Sequence, residues 1–122
     1  MREQDALFRY VARGVLDVEP TRENKGELLG QLRERGVFLI DLSPDPLSTV
    51  PLSEFVPDLV SRVRALDPEK IILIKATVYD AAFEALREEG LPVVDARIPF
   101  PGSGQQKRFE AAFARALAAR PG

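Results

Sequence analysis

Three short runs that are rich in apolar residues, at residues 37–42, 71–74 and 92–98, constrain the fold of this chain more than any other feature. Each run is about as long as a β-strand, and the lack of polar alternation favours strands that are buried on both faces. Segments with helical periodicity separate them. Because strands that alternate with helices favour a parallel sheet, the pattern predicts an α/β fold. The expected architecture is a three-layer sandwich, in which helices cover a short parallel sheet of about three strands.

Five segments carry apolar residues at helical spacing, beginning with the stripe from Ala6 to Val15. Thr21 and Thr77 are predicted N-caps of the second and fourth helices. Gly36 and Gly90 stand where a glycine commonly ends a helix. The sequence therefore predicts five helices, the last of which starts near residue 103.

Composition sets limits on function. The 122 residues, with a formal net charge of −2, fit one domain over residues 1–122 and give no overall positive field for nucleic acid. With no cysteine and no histidine, disulfides, cysteine nucleophiles and the usual zinc sites are excluded, and we predict no metal site and no cofactor. The sequence has neither a membrane-spanning apolar segment nor a signal-peptide pattern at its start, so we expect a cytoplasmic protein without membrane contact.

Two of the loops that would follow the predicted strands contain charged residues suited to chemistry. Asp41 and Asp45 could form an acid and base pair or hold a magnesium ion, although aspartate before proline also simply marks a turn. Lys75 ends an otherwise apolar run. Its ammonium group could bind a phosphate at a rigid strand end, or it could extend into solvent from the rim of the sheet.

The third loop is the most distinctive. Its glycines permit close approach of a ligand, and the helix that follows offers free N–H groups to an anion. Ser103 and Gln106 also have the spacing of a capping box, which is a purely structural alternative. From residue 102 onward the chain has a local net charge of +3, so an anionic ligand is favoured. The candidate binding residues here are Phe100, Gly102, Ser103, Gly104, Gln105, Gln106, Lys107 and Arg108.

This loop, reading PFPGSGQQ from residue 99, resembles the uracil-DNA glycosylase superfamily, and in particular its small, uncharacterised bacterial glycosylase-like branch. The similarity extends over about residues 36–113 and includes the apolar run that ends at Asp41 and the run that ends at Lys75. By this resemblance the loop corresponds to the one that enters the DNA minor groove. Asp41 takes the place of the family's base-reading asparagine, and Phe100 takes the place of its loop histidine.

The resemblance also implies a first strand and a catalytic loop that this sequence lacks, so the chain corresponds to an N-terminally truncated glycosylase fold. We therefore expect impaired catalysis, with no catalytic residue assigned, and weak binding of DNA. Phe100 would stack on or wedge between bases, while Lys107 and Arg108 would hold phosphates.

Two other functions are consistent with the sequence. A sheet with a missing strand would expose backbone donors and apolar surface, which a homodimer that completes the sheet would cover, so a non-catalytic self-associating protein is the alternative. A third interpretation is an enzyme that acts on a nucleotide or sugar phosphate through Asp41, Lys75 and residues 102–104. Salt-sensitive DNA binding would favour the first function, and a dimer without DNA affinity would favour the second.

Overall fold

A computed structural model of the chain describes residues 3–40, 42, 49–102 and 104–119. Within these ranges the protein is mostly helical. A short 3-10 helix, Leu52–Phe55, precedes the third of five α-helices. The α-helices are α1 (Glu3–Leu16), α2 (Lys25–Glu34), α3 (Val56–Leu66), α4 (Ala76–Glu88) and α5 (Gln106–Ala118).

All five predicted helices are confirmed, and so are the two glycine signals for C-terminal ends. Gly36 and Gly90 follow α2 and α4 with φ values of 78° and 74°, a conformation that glycine adopts without steric cost. The predicted N-caps are displaced. Asn24 occupies the N-cap position of α2 without a capping side-chain hydrogen bond. In the turn before it, the Thr21 and Asn24 side chains each accept a hydrogen bond from the other's backbone N–H. Lys75, and not Thr77, is the N-cap of α4.

The predicted α/β fold is wrong. The described residues contain no β-strand and no sheet, which rules out the three-layer sandwich with a parallel sheet of three strands. Residues 71–74 and 92–98, here called the two middle segments, run parallel but pair only at two isolated points, Ile71 with Val93 and Ile74 with Ile98. Apolar residues at these positions favour burial, and burial does not require the continuous hydrogen-bond ladder that defines a strand.

Residues 37–42, expected to be a buried strand, are also different from the prediction. Leu42 is buried, but Phe38, Leu39 and Ile40 are 51%, 40% and 43% exposed. Their neighbours in the described part of the chain cover neither face of this segment completely. An apolar run therefore does not by itself identify a buried strand.

Among the described residues the core forms three clusters, and the two middle segments lie between two of them. Leu73 and Val93 pack with α3 and α4, whereas Val94 and Ile98 pack with α1 and α5. A third cluster joins α1 to α2. Successive residues of the middle segments thus face different groups of helices. In this way the packing places the first turns of α4 and α5 directly after two neighbouring segments.

None of the helices in the described ranges is long and apolar enough to cross a membrane.

Candidate functional site

Lys75 lies at the junction between the first middle segment and α4. It has a φ of 85°, which is unusual for a residue other than glycine, and its backbone N–H donates to the Ile98 carbonyl oxygen at 2.9 Å. Its own carbonyl oxygen accepts hydrogen bonds from the N–H groups of Val78 and Tyr79, in the first turn of α4. Backbone hydrogen bonds on both sides therefore fix the point from which the lysine side chain extends.

The structure brings Lys75 and Phe100 together, although 25 positions separate them in the sequence. The Lys75 Nζ lies 6.0 Å from the centroid of the Phe100 ring, at the outer limit of a cation–π contact. Phe100 is half-buried and Lys75 is exposed. The ring and the ammonium group thus lie side by side. The sequence predicts a role for each of the two loops but not their contact.

The loop after Phe100 folds back through two short-range hydrogen bonds. The Gly102 N–H donates to the Phe100 carbonyl oxygen at 2.8 Å, and the Gln105 N–H donates to the Gly102 carbonyl oxygen at 3.0 Å. Gly104 has a φ of 77°, so at this position a glycine is needed for the turn. Ser103 lies outside the described residues. These turns connect Phe100 to the start of α5 over a few residues.

The first turn of α5 begins at Gln106 and contains Lys107 and Arg108, both exposed. Its N-cap is Gln105, whose side chain makes no capping hydrogen bond. The capping box would place the cap at Ser103, two positions earlier, so the observed N-cap differs from that prediction. The first-turn N–H groups of α5 consequently have no capping side chain among the described residues.

Charge in the first turns distinguishes α4 and α5 from two other helices. The first turns of α2 and α3 contain Glu27 and Asp58, as the helix dipole favours, whereas those of α4 and α5 contain no acidic residue. Lys107 and Arg108 instead place positive charge at the positive end of α5, where a bound anion would relieve the unfavourable interaction.

Of the predicted site residues, the structure brings Lys75 close to Phe100, and Gly102, Gly104 and residues 105–108 follow Phe100 along the chain through these turns into α5. We call this set the Lys75–Arg108 surface. Asp41, the base-reading candidate, lies outside the described residues, as does Asp45. In the described ranges, no group of three or more acidic residues is arranged to hold a metal ion.

Two side-chain pairs that sequence analysis missed join α4 to the second middle segment. The Tyr79 hydroxyl donates to an Asp95 carboxylate oxygen at 2.6 Å, and Arg97 donates to both carboxylate oxygens of Asp80 at 3.0 and 2.9 Å. The hydrogen bond to Asp95 raises the pKa of Tyr79, and the hydrogen bonds from Arg97 lower the pKa of Asp80. The partners are 16 and 17 residues apart, so no local pattern identifies them.

The lowered pKa of Asp80 gives a testable pH dependence. Because it lies below the ordinary value of 3.8, the Asp80–Arg97 pair stabilises the fold above about that pH, and the stabilisation is lost as the pH falls through the lowered pKa. We expect Asp80→Asn to reduce the urea midpoint slightly at pH 7, and the difference from the wild type should shrink as the pH falls through the lowered pKa.

NMR titration of the Asp80 carboxyl carbon tests the cause directly. Its pKa should lie below 3.8 in the wild-type protein and should return toward that value in Arg97→Gln. An unshifted pKa in the wild-type protein would contradict the pair.

No protein-family model matches this chain, and comparison with curated proteins and with solved structures found no match either. The proposed relationship to the uracil-DNA glycosylase superfamily therefore rests on the sequence resemblance alone. Moreover, the α/β fold that the resemblance implies is not the fold of the described residues.

Proposed function

We propose that this protein binds single-stranded nucleic acid weakly, through the Lys75–Arg108 surface, and has no efficient glycosylase activity. The observation that carries the proposal is the juxtaposition of the Lys75 ammonium group with the Phe100 ring, 6.0 Å apart, beside the start of α5. A relationship to the glycosylases and a cytoplasmic location belong to the same proposal.

The surface has the two elements that recognition of a single strand needs. A half-buried aromatic ring offers a stacking platform for a base, and every base has a face that can stack. Lys75, Lys107 and Arg108 offer positive charge to the phosphates.

Binding is favoured over catalysis by the types of residue present. The Lys75–Arg108 surface contributes cations, an aromatic ring, amides and glycine backbone, which suit anion and base binding. Its described residues contain no carboxylate that could activate a water molecule. The acidic overall charge of −2 opposes long-range attraction of nucleic acid, so we expect affinity only at low salt.

Fluorescence anisotropy with a labelled oligothymidylate tests the charge contribution. With three phosphate contacts on a single strand, log K should fall with log salt with a slope of about −2. Lys107→Glu combined with Arg108→Glu should weaken binding at least ~10-fold at low salt and should reduce the slope to roughly −0.7, since one contact remains. A control with equal net charge is Arg22→Glu combined with Arg87→Glu, two exposed arginines outside the surface, which should retain most of the affinity.

Phe100→Ala separates stacking from charge. Loss of one base–aromatic stack should weaken binding by about 1–3 kcal/mol while leaving the salt slope unchanged. If the wild-type protein does not bind the oligonucleotide at low salt, or if the surface and control variants lose affinity equally, the proposed function is wrong.

A further inference from the structure

Lys75 has a backbone conformation that is unfavourable for its residue type. Its φ of 85° and ψ of 127° lie outside the helical, extended and left-handed regions that residues with a Cβ atom normally occupy. A residue in such a conformation raises the unfolding equilibrium constant roughly 5- to 150-fold relative to an unstrained one. Strain of this kind concentrates at functional sites, where the surrounding structure enforces it.

The other residues with positive φ show that the strain at Lys75 is exceptional. Among the described residues there are five of them, and all are glycine or aspartate: Gly36, Gly90, Gly104, Asp17 and Asp67. Glycine adopts positive φ without steric cost, and aspartate enters the left-handed region more readily than most residues do. At each of those positions the residue type suits the backbone. At position 75 it does not, although glycine would fit there.

The surrounding structure holds Lys75 in this conformation. Its N–H is bonded to the Ile98 carbonyl oxygen, and its own carbonyl oxygen accepts hydrogen bonds from the first turn of α4. The hydrogen bond from Tyr79 to Asp95, at 2.6 Å, joins that turn to the second middle segment once more. A relaxation of φ at Lys75 would disturb these contacts, so the strain persists in the folded protein.

The lysine side chain contributes position more than stability. Its Nζ lies 6.0 Å from the centroid of the Phe100 ring, and an exposed cation–π contact at this distance adds little to the free energy of unfolding. The fixed backbone does, however, hold the ammonium group beside the ring. A nucleotide whose base stacks on Phe100 carries its phosphate next to that base, within reach of such a group.

We infer that Lys75 lowers the stability of the fold and, through its strained backbone, positions the phosphate of the nucleotide that stacks on Phe100. The inference rests on the proposed function, since its ligand is the same single strand. It adds that the contribution of Lys75 depends on its position. Lys107 and Arg108, by contrast, extend from ordinary helical backbone in α5. A glycine at position 75 would give a more stable protein and a weaker binder.

Urea unfolding followed by circular dichroism tests the strain. Lys75→Gly should lower the unfolding equilibrium constant on the order of 10-fold, because the relief of strain exceeds the entropy that glycine adds to the unfolded chain. Lys75→Ala keeps a Cβ atom and should bring no such gain. Thr77→Gly is the control on ordinary helical backbone in the same turn, and it should destabilise the protein.

Fluorescence anisotropy with a labelled oligothymidylate tests the binding role. Lys75→Gly and Lys75→Ala should both weaken binding about 10-fold near ~20 mM salt, and the salt slope should change from about −2 to about −1.4, since one phosphate contact is lost. Lys75→Arg retains the charge at the same backbone position and should retain the slope.

Moving the lysine tests whether its position matters. Lys75→Gly combined with Thr77→Lys has the net charge of the wild type, with the ammonium group displaced within the first turn of α4. We expect it to bind as weakly as Lys75→Gly alone, because the displaced group no longer lies beside the Phe100 ring.

The outcomes separate this inference from the proposed function. If the wild type binds but Lys75→Gly is no more stable than Lys75→Ala, the strain is absent and the inference is wrong, while the proposed function stands. The same holds if Lys75→Gly binds as the wild type does, or if the displaced lysine restores the affinity. A wild-type protein that does not bind the oligothymidylate at low salt overturns both.

Discussion

Phe109→Ala is expected to destabilise the protein by about 3–5 kcal/mol, the usual cost of removing a fully buried phenylalanine side chain. Phe109 is 0% exposed and lies at the centre of the cluster formed by α1, α5 and the second middle segment. Its ring stacks on Phe113 with centroids 5.1 Å apart and meets the Tyr10 ring edge-on at 5.9 Å. Since small domains have a total stability of about 5–15 kcal/mol, this loss is a large fraction of it.

Phe38→Ala is the matched control for this experiment. It removes the same atoms from a side chain that is 51% exposed, so we expect a loss of about 1 kcal/mol, well below that of Phe109→Ala. Urea unfolding followed by circular dichroism measures both variants. Equal losses for Phe109→Ala and Phe38→Ala would contradict the described burial.

Gly14→Ala is expected to destabilise the protein by about 1–2 kcal/mol, even though alanine is the better helix former. A Cβ atom at position 14 would lie 2.8 Å from both Cδ2 and Cε2 of Phe113, closer than real Cβ contacts allow. Phe113 is buried and stacked on Phe109, so its ring has little room to move. The close approach of α1 to α5 therefore depends on the missing side chain.

Gly30→Ala makes the same change in the middle of α2, where nothing lies within 4 Å of the added Cβ. Here only helix propensity acts, and we expect a gain of about 0.5–1 kcal/mol. The two variants should therefore shift the thermal unfolding midpoint in opposite directions. A stabilising Gly14→Ala would show that α1 and α5 do not approach each other as described.

These two glycines show that sequence patterns identify a helix but not the residues at which it contacts another helix. Both occur within helical stripes, and no local pattern distinguishes the one that contacts another helix. The same holds for the Lys75–Arg108 surface. Its basic and glycine-rich loop was identified from residue types and spacing, whereas the approach of Lys75 to Phe100 depends on how residues 71–74 pack beside residues 92–98.

The sequence by itself determined the five helices, because helical periodicity and the signals for helix ends act over a few neighbouring residues. Gly36 and Gly90 end their helices as expected. Only the tertiary structure decided whether the three apolar runs form strands and whether they are buried. A strand exists only when another segment completes its hydrogen bonds, and short apolar runs do not specify that partner. The two middle segments meet at two points without forming a sheet, and Phe38, Leu39 and Ile40 remain exposed.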